Sequence, residues 1–147
     1  MNAVTLTPLR RIPTPKGDVL HCLKASDDSF AGFGEAYLSM VGAGQIKGWK
    51  RHQRMVLNLV VVSGSVRFVA YDSTSPAQIV SDVVLGPDAS ETHQRLTVQP
   101  GIWLAFRGEG ATDSIVLNVA SLPHDPSEAD GLDLSALEFP TTRSVGA

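Results

Sequence analysis

From Gly34 to Ala120 the chain is a succession of short apolar segments, each closed by a turn signal, and no long amphipathic helix interrupts them. Gly34-Glu35-Ala36-Tyr37-Leu38-Ser39-Met40 alternates and stops at Gly42 and Gly44. Residues 45–49 follow, then the polar cluster Lys50-Arg51-His52-Gln53-Arg54. Residues 55–62 form a valine-rich run into Ser63-Gly64-Ser65, behind which residues 66–71 alternate again. That pair reads as a hairpin. Further strands are expected over residues 79–85, 95–98, 102–106 and 114–120, broken at 86–90, at Pro100-Gly101 and at 108–110. A side-chain period of two, punctuated at roughly 8–12 residues by turn formers, specifies a β-sandwich or barrel and excludes a helical bundle.

The flanks differ. Residues 1–16 carry Pro8, Pro13 and Pro15 and the pair Arg10-Arg11, and read as an extended N-terminal arm. Residues 17–138 hold the strands, with a weak helical stretch near residues 132–137. Residues 139–147 read as a flexible tail. One domain suits 147 residues, and 43% hydrophobic against 18% charged residues is a globular balance. A net charge of -3 offers no electrostatic footprint for nucleic acid or an anionic membrane. Cys22 is the single cysteine, so no intrachain disulfide can form and a reducing compartment is expected. No apolar run reaches the ~18 residues of a membrane span. The first residues lack the basic start and apolar stretch of a secretory leader, so a cytoplasmic location is expected.

The run Gly44-Gln45-Ile46-Lys47-Gly48-Trp49-Lys50-Arg51-His52 leads into the valine-rich pair and then Tyr71-Asp72. With Arg95-Leu96-Thr97-Val98-Gln99-Pro100-Gly101 and Pro123-His124-Asp125-Pro126, it resembles the dTDP-4-dehydrorhamnose 3,5-epimerase family of the cupin superfamily. The resemblance covers residues 17–134. It implies an all-β, cupin-type double-stranded β-helix, a jelly-roll barrel with a pocket in its mouth. It also implies cofactor-independent epimerisation or isomerisation of a nucleotide-linked 4-keto-sugar, in surface-polysaccharide synthesis. The family's habit of dimerising, with an arm able to pair a sheet edge, makes a homodimer the expected assembly.

The first cupin motif keeps its frame and loses its ligands. Gly44, five residues, Lys50-Arg51-His52, four residues, Leu57, six residues and Gly64 reproduce the spacing. Lys50 and Leu57 stand where His and Glu would be, and Leu104 stands where the second motif has its His. A first-row metal needs three or more N, O or S ligands, so no metal and no other cofactor is expected. The family's histidine base aligns with Lys50 and its following Gln with His52. Its acid tyrosine falls on Ser114-Ile115-Val116-Leu117-Asn118, which has none, and its early diphosphate-binding arginine falls near Ala31-Gly32.

Lys50 and His52 are nevertheless the acid/base candidates, because residues i and i+2 of a strand share a face. Arg54 and Arg95 are candidate forked donors to phosphate or carboxylate. Asn58 and Asn118 interrupt apolar runs, His93 precedes a strand, and Trp103 offers a stacking surface; all four join the candidate substrate contacts. In Pro-flanked His124-Asp125 the Asp reads as a turn-holder rather than half of a dyad. Two readings stay open: an epimerase or isomerase with non-standard acid/base residues, or a catalytically lapsed cupin binding a sugar, nucleotide sugar or small acid.

Overall fold

The computed structural model describes residues 2–141. Most of the tail expectation, residues 142–147, and Met1 of the arm lie outside the described residues. In chain order the strands are β1 (Val4–Pro8), β2 (Arg11–Ile12), β3 (Val19–Leu20), β4 (Glu35–Val41), β5 (Ile46–His52), β6 (Leu57–Ser63), β7 (Val66–Tyr71), β8 (Ile79–Leu85), β9 (Gln94–Val98), β10 (Trp103–Gly108), β11 (Ser114–Ala120) and β12 (Ala129–Gly131). They form two five-stranded antiparallel sheets in a jelly-roll arrangement, ordered β1-β9-β6-β11-β4 and β12-β5-β10-β7-β8, with β2 and β3 as a separate small hairpin. The weak helical stretch near 132–137 is a single 3₁₀ turn, Leu134–Ala136. No helix among the described residues is long and apolar enough to cross a membrane.

Two expectations are corrected. The first is the closed barrel. Each sheet keeps two free edges, β1 and β4 in one and β12 and β8 in the other, and no sheet curls shut. Among the described residues, the isolated bridge outside the ladders is the parallel pairing of Ala43 with Gly108. Strand spacing along a sequence fixes how often the chain turns, and closure depends on a ladder between the last strands that spacing does not encode. The second is the hairpin of β6 with β7. β6 pairs with β9 and β11, whereas β7 pairs with β8 and β10. The Ser63-Gly64-Ser65 turn carries the chain from one sheet to the other. Gly64 takes φ +85, and a Cβ there would strike the Ser114 side chain, so the corner needs glycine.

The alternation becomes two layers. Inward residues of both sheets, among them Val41, Leu59, Val61, Phe68, Leu96 and Val116, form the main core, all 3% exposed or less. Each such buried Val, Leu or Phe contributes about 1.5–3 kcal/mol. A second cluster, Trp49, Val69, Tyr71, Trp103 and Ala105, lies on the outer face of the β5-containing sheet. The C-terminal segment covers it. Trp49 Nε1 donates to the Leu134 carbonyl (3.2 Å), Tyr71 Oη to the Glu138 carbonyl (2.8 Å) and Arg67 to the Pro140 carbonyl (2.8 Å). Phe139, at the start of the expected tail, lies under the guanidinium groups of Arg67 and Arg107, each 5.0 Å from its ring centre. In the arm, β1 pairs residue by residue with β9, from Val4 opposite Val98 to Pro8 opposite Gln94.

Candidate active site

The core fills only part of the space between the sheets. Where β4 ends one sheet and β5 with β12 ends the other, a cavity of about 570 Å³ opens. Its inner wall is apolar: Leu57, Leu59, Leu104, Phe106 and Val116. Its polar groups are Tyr37, Ser39, Lys47, Lys50, His52, Asn118, His124, Asp125, Glu128 and Asp130.

Strand β5 supplies the cations through an irregularity. Opposite β10, Lys50 pairs with Leu104 and Lys47 with Phe106, so β5 spends three steps where β10 spends two. The extra residue is a β-bulge at Gly48–Trp49. Gly48 has φ +143, and a Cβ on it would lie 2.6 Å from Ala105 Cβ. Without the bulge, Lys47 and Lys50 would face opposite sides of the sheet; with it, both line the cavity, and His52 follows at period two. Trp49 is thereby turned outward into the second cluster.

His52 is held by a residue far away in sequence. After β11 the chain makes a 3₁₀ turn, Pro126–Glu128, capped by the Asp125 carboxylate, which accepts from Ser127 N (3.0 Å) and Oγ (2.7 Å). Asp125 is thus a turn-holder, as its sequence context indicates. The turn feeds β12, which pairs Ala129 with His52 and Gly131 with Lys50. Glu128, 2% exposed, is so placed that Oε1 lies 2.5 Å from His52 Nδ1. Its Oε2 accepts the backbone N–H groups of Gln53 (3.0 Å), Arg54 (2.8 Å) and Met55 (2.8 Å). Burial alone would raise the Glu128 pKa. The hydrogen bond from His52, those from Arg54 and Met55, and the charge of His52 outweigh it and bring the carboxyl down to about 2. An ionised acceptor at Nδ1 requires a proton there, which leaves Nε2 as the basic nitrogen of the neutral ring.

The opposite wall carries a phenol and an amide. Tyr37 of β4 lies directly across from Asn118 of β11, and Asn118 Nδ2 donates to Tyr37 Oη at 2.8 Å. Tyr37 is 45% exposed and Asn118 only 4%. With an oxygen lone pair occupied by the amide, the Tyr37 hydroxyl proton is free to be donated elsewhere. Lys47 Nζ donates to Ser39 Oγ (3.0 Å) at the end of the cavity beside Phe106. The acids in the lining are already engaged: Glu128 by His52 and three amides, Asp130 by Arg51 (2.9 Å), Asp125 by Ser127. Neither lysine has a carboxylate partner among the described residues.

Of the residues singled out from sequence, Lys50, His52 and Asn118 meet in this cavity. The others lie elsewhere. Asn58 and Arg95 are on the outer face of their sheet, beneath the loop of residues 22–29. There Arg95 donates to Asn58 Oδ1 (3.0 Å), the Cys22 carbonyl (2.8 Å), Asp27 (3.2 Å) and Ser29 Oγ (2.6 Å). His93 is 3% exposed near the arm; burial pushes its pKa down, and the Arg11 guanidinium adds to the effect. Trp103 sits in the outer cluster with Arg51 stacked 4.5 Å above its ring. The Arg54 side chain is 65% exposed, 3.7 Å from Asp125.

Three cavity residues escaped the sequence reading. Lys47 was hidden by the bulge, for which a glycine inside a strand is the available signal. Tyr37 depends on the β4–β11 register. Glu128 depends on a contact 76 residues away in the chain. The four positions used by metal-binding cupins, here Lys50, His52, Leu57 and Leu104, all line the cavity. One imidazole, an ammonium and two aliphatic side chains do not make a metal site. Among the described residues, no cluster of three His, Cys, Asp or Glu elsewhere does so either.

No family model matches this sequence, and no curated protein sequence does. Solved structures do. A dTDP sugar isomerase from Desulfovibrio desulfuricans G20 is 33% identical, with a TM-score of 0.82 over 90% of this chain and 85% of that one. The dTDP-4-dehydrorhamnose 3,5-epimerase of Sulfolobus tokodaii (20% identity, TM-score 0.78, 94% of this chain and 81% of that one) shares the fold. So does QdtA, a sugar 3,4-ketoisomerase from Thermoanaerobacterium thermosaccharolyticum crystallised with TDP (19%, 0.71, 87% of each chain). With a third of its residues identical to the Desulfovibrio protein over nearly its whole length, and the fold shared, the chain belongs to the cupin-type dTDP-sugar epimerase and isomerase family.

Proposed function

We propose that this protein is a cofactor-independent epimerase or isomerase of a dTDP-linked 4-keto-hexose, with His52 as general base and Tyr37 as general acid. The observation that carries the reading is the His52–Glu128 pair, a buried carboxylate fixed by three backbone amides and pointing one imidazole nitrogen at a cavity. Such a pair is the orienting half of general-base catalysis. The names of the similar structures point the same way: a dTDP sugar isomerase, a 3,5-epimerase, and a 3,4-ketoisomerase in complex with TDP.

His52 Nε2 takes a proton from the carbon beside the ketone, and the C–H electrons move into the ring to give an enolate. The Lys50 ammonium offsets the negative charge that gathers on the former carbonyl oxygen. Tyr37, on the other sheet, returns a proton to carbon from the opposite side. Its phenolate regains a proton from solvent and the His52 imidazolium releases one, so the cycle balances. Lys47, which has no carboxylate partner among the described residues, suits the diphosphate. The tyrosine of this reading comes from β4 and not from β11, where the resemblance puts it.

The experiment is deuterium incorporation. In heavy water, wild-type protein is expected to place deuterium next to the ketone of dTDP-4-keto-6-deoxyglucose. His52→Asn abolishes the exchange, a loss of about 10²–10⁴-fold. Tyr37→Phe keeps exchange and loses inversion. Tight binding of the sugar without any exchange by wild type would establish the lapsed binding module instead.

We also infer a homodimer. The outward side chains of β4, namely Ala36, Leu38 and Met40, are exposed, Leu38 at 61% and Met40 at 51%, beside outward Ile115, Leu117 and Val119 of β11. A row of apolar residues on one sheet face is the surface a second copy covers. Sedimentation should give twice the chain mass, and Leu38→Lys should give the monomer. A monomeric wild type at micromolar concentration excludes the dimer.

A further inference from the structure

The Asn118 amide is used at one end only. Its Nδ2 is committed to Tyr37 Oη, while its Oδ1 is buried and has no hydrogen-bond partner. The residue is 4% exposed and lines the cavity. A buried acceptor left unpaired is destabilising, so a sheet position that keeps one does so against stability. An aliphatic residue would suit β11 there, as its inward neighbours Val116 and Ala120 show.

We propose that Asn118 Oδ1 is the specificity-determining acceptor of the site and takes a hydrogen bond from a ring hydroxyl of the bound hexose. This rests on the dTDP-hexose reading above. The chemistry of the group decides what it selects: a carbonyl oxygen accepts only, so it favours a ligand that brings an O–H donor and rejects one with C–H at the same place. Location decides which part of the ligand it reads. The amide is bonded directly to the Tyr37 hydroxyl, so a group that reaches Oδ1 lies beside the carbon that Tyr37 protonates, on the sugar and not on the base. A site built around a hydroxyl discriminates strongly against the analogue lacking it, because the empty acceptor then stays unpaired.

The test reads binding, so that it does not depend on turnover. dTDP-glucose and its 2-, 3- and 6-deoxy analogues are titrated calorimetrically into wild type, Asn118→Leu and Asn118→Asp, with dTDP alone as the reference for the nucleotide. Wild type is expected to bind one deoxy analogue at least tenfold more weakly than dTDP-glucose. Asn118→Leu should bind the two within twofold of each other, and Asn118→Asp, which keeps an acceptor, should retain the preference. All three should bind dTDP alone equally. Equal binding of every deoxy analogue by wild type, or a preference that survives in Asn118→Leu, overturns the proposal and leaves the proposed function intact. A loss of dTDP affinity in Asn118→Leu equal to the loss for dTDP-glucose also overturns it, since the acceptor would then serve the nucleotide. If wild type binds dTDP and none of the dTDP-hexoses, the hexose reading and this proposal fall together.

Discussion

Asn58 and Asn118 are the same side chain on paired strands of one sheet, buried alike at 3% and 4%, and they do opposite things. Asn58 lies opposite Val119, so it and Asn118 point to opposite faces. On the outer face, Asn58 is bonded at both ends of its amide. Its Oδ1 accepts from Arg95 Nε (3.0 Å) and Thr97 Oγ (2.6 Å), and its Nδ2 donates to the Ser29 carbonyl (3.1 Å). On the cavity face, Asn118 satisfies one end and leaves the other open. Burial and polarity are equal, so neither marks a site. What marks it is an unused hydrogen-bonding valence facing a space large enough for a ligand.

The outer cluster should therefore answer to stability and the inner one to binding. The largest effect is expected for Arg95→Ala. It removes the buried group that ties Asn58, the Cys22 carbonyl, Asp27 and Ser29 together, four partners at once. The expected loss is about 3–5 kcal/mol in urea unfolding. The folded fraction should bind dTDP as wild type does. A weaker dTDP affinity with unchanged stability would erase the distinction between the two faces.

Glu128 belongs to both categories, and pH separates them. Its folded-state pKa, about 2, is below the ordinary 4.5. The depressed value means the carboxylate stabilises the fold fully above pH 4.5, and that contribution disappears as pH falls through 4.5 towards 2. The difference amounts to about 3 kcal/mol. Unfolding of wild type followed at pH 6, 4 and 3 should show this loss. Glu128→Gln, which has no proton to gain, should be less stable at pH 6 and flatter across the window. Equal slopes for the two proteins would show that the three amides and His52 do not hold the carboxylate as described.

These two residues also show what a sequence can carry. The strands were legible because a period of two and the turn residues between them are local, and β7, β8 and β11 fall within the expected bounds. The pairing was not local: Ser63-Gly64-Ser65 looks the same whether its arms bond to each other or pass to different sheets. The site divides the same way. Lys50 and His52 were legible as an i, i+2 pair inside a recognisable frame. Arg95 and Asn58 were misplaced because a polar residue in an apolar strand signals a required partner and not its side of the sheet. Glu128 was invisible because nothing near residue 128 reports on residue 52.

A smaller and more direct contrast comes from giving both asparagines the same replacement. Asn58→Leu strands Arg95, Thr97 and the Ser29 carbonyl together and should cost about 2–3 kcal/mol. Asn118→Leu removes a buried acceptor that had no partner and frees only Tyr37, which is 45% exposed and can turn to water. Its cost should stay below about 1 kcal/mol. Urea midpoints of the two variants, measured side by side, check this. Equal losses would mean that Asn118 has an internal partner after all.

The smallest effect is expected at Arg54, and it tests the comparison from outside both clusters. By sequence it ranks with the candidate phosphate ligands, only two residues from His52. Its backbone N–H is part of the Glu128 cradle, but its side chain is 65% exposed and its nearest acid, Asp125, is 3.7 Å away and already bonded to Ser127. An exposed ion pair at that distance is screened by solvent and salt. Arg54→Ala should therefore shift neither the urea midpoint nor the dissociation constant for dTDP by as much as twofold. Lys47→Ala, inside the cavity, should weaken dTDP about tenfold through one lost charge-assisted hydrogen bond. If Arg54→Ala matched or exceeded Lys47→Ala, the diphosphate would run over the rim past Asp125, and the cavity between the two sheets would hold less of the ligand than its lysines imply.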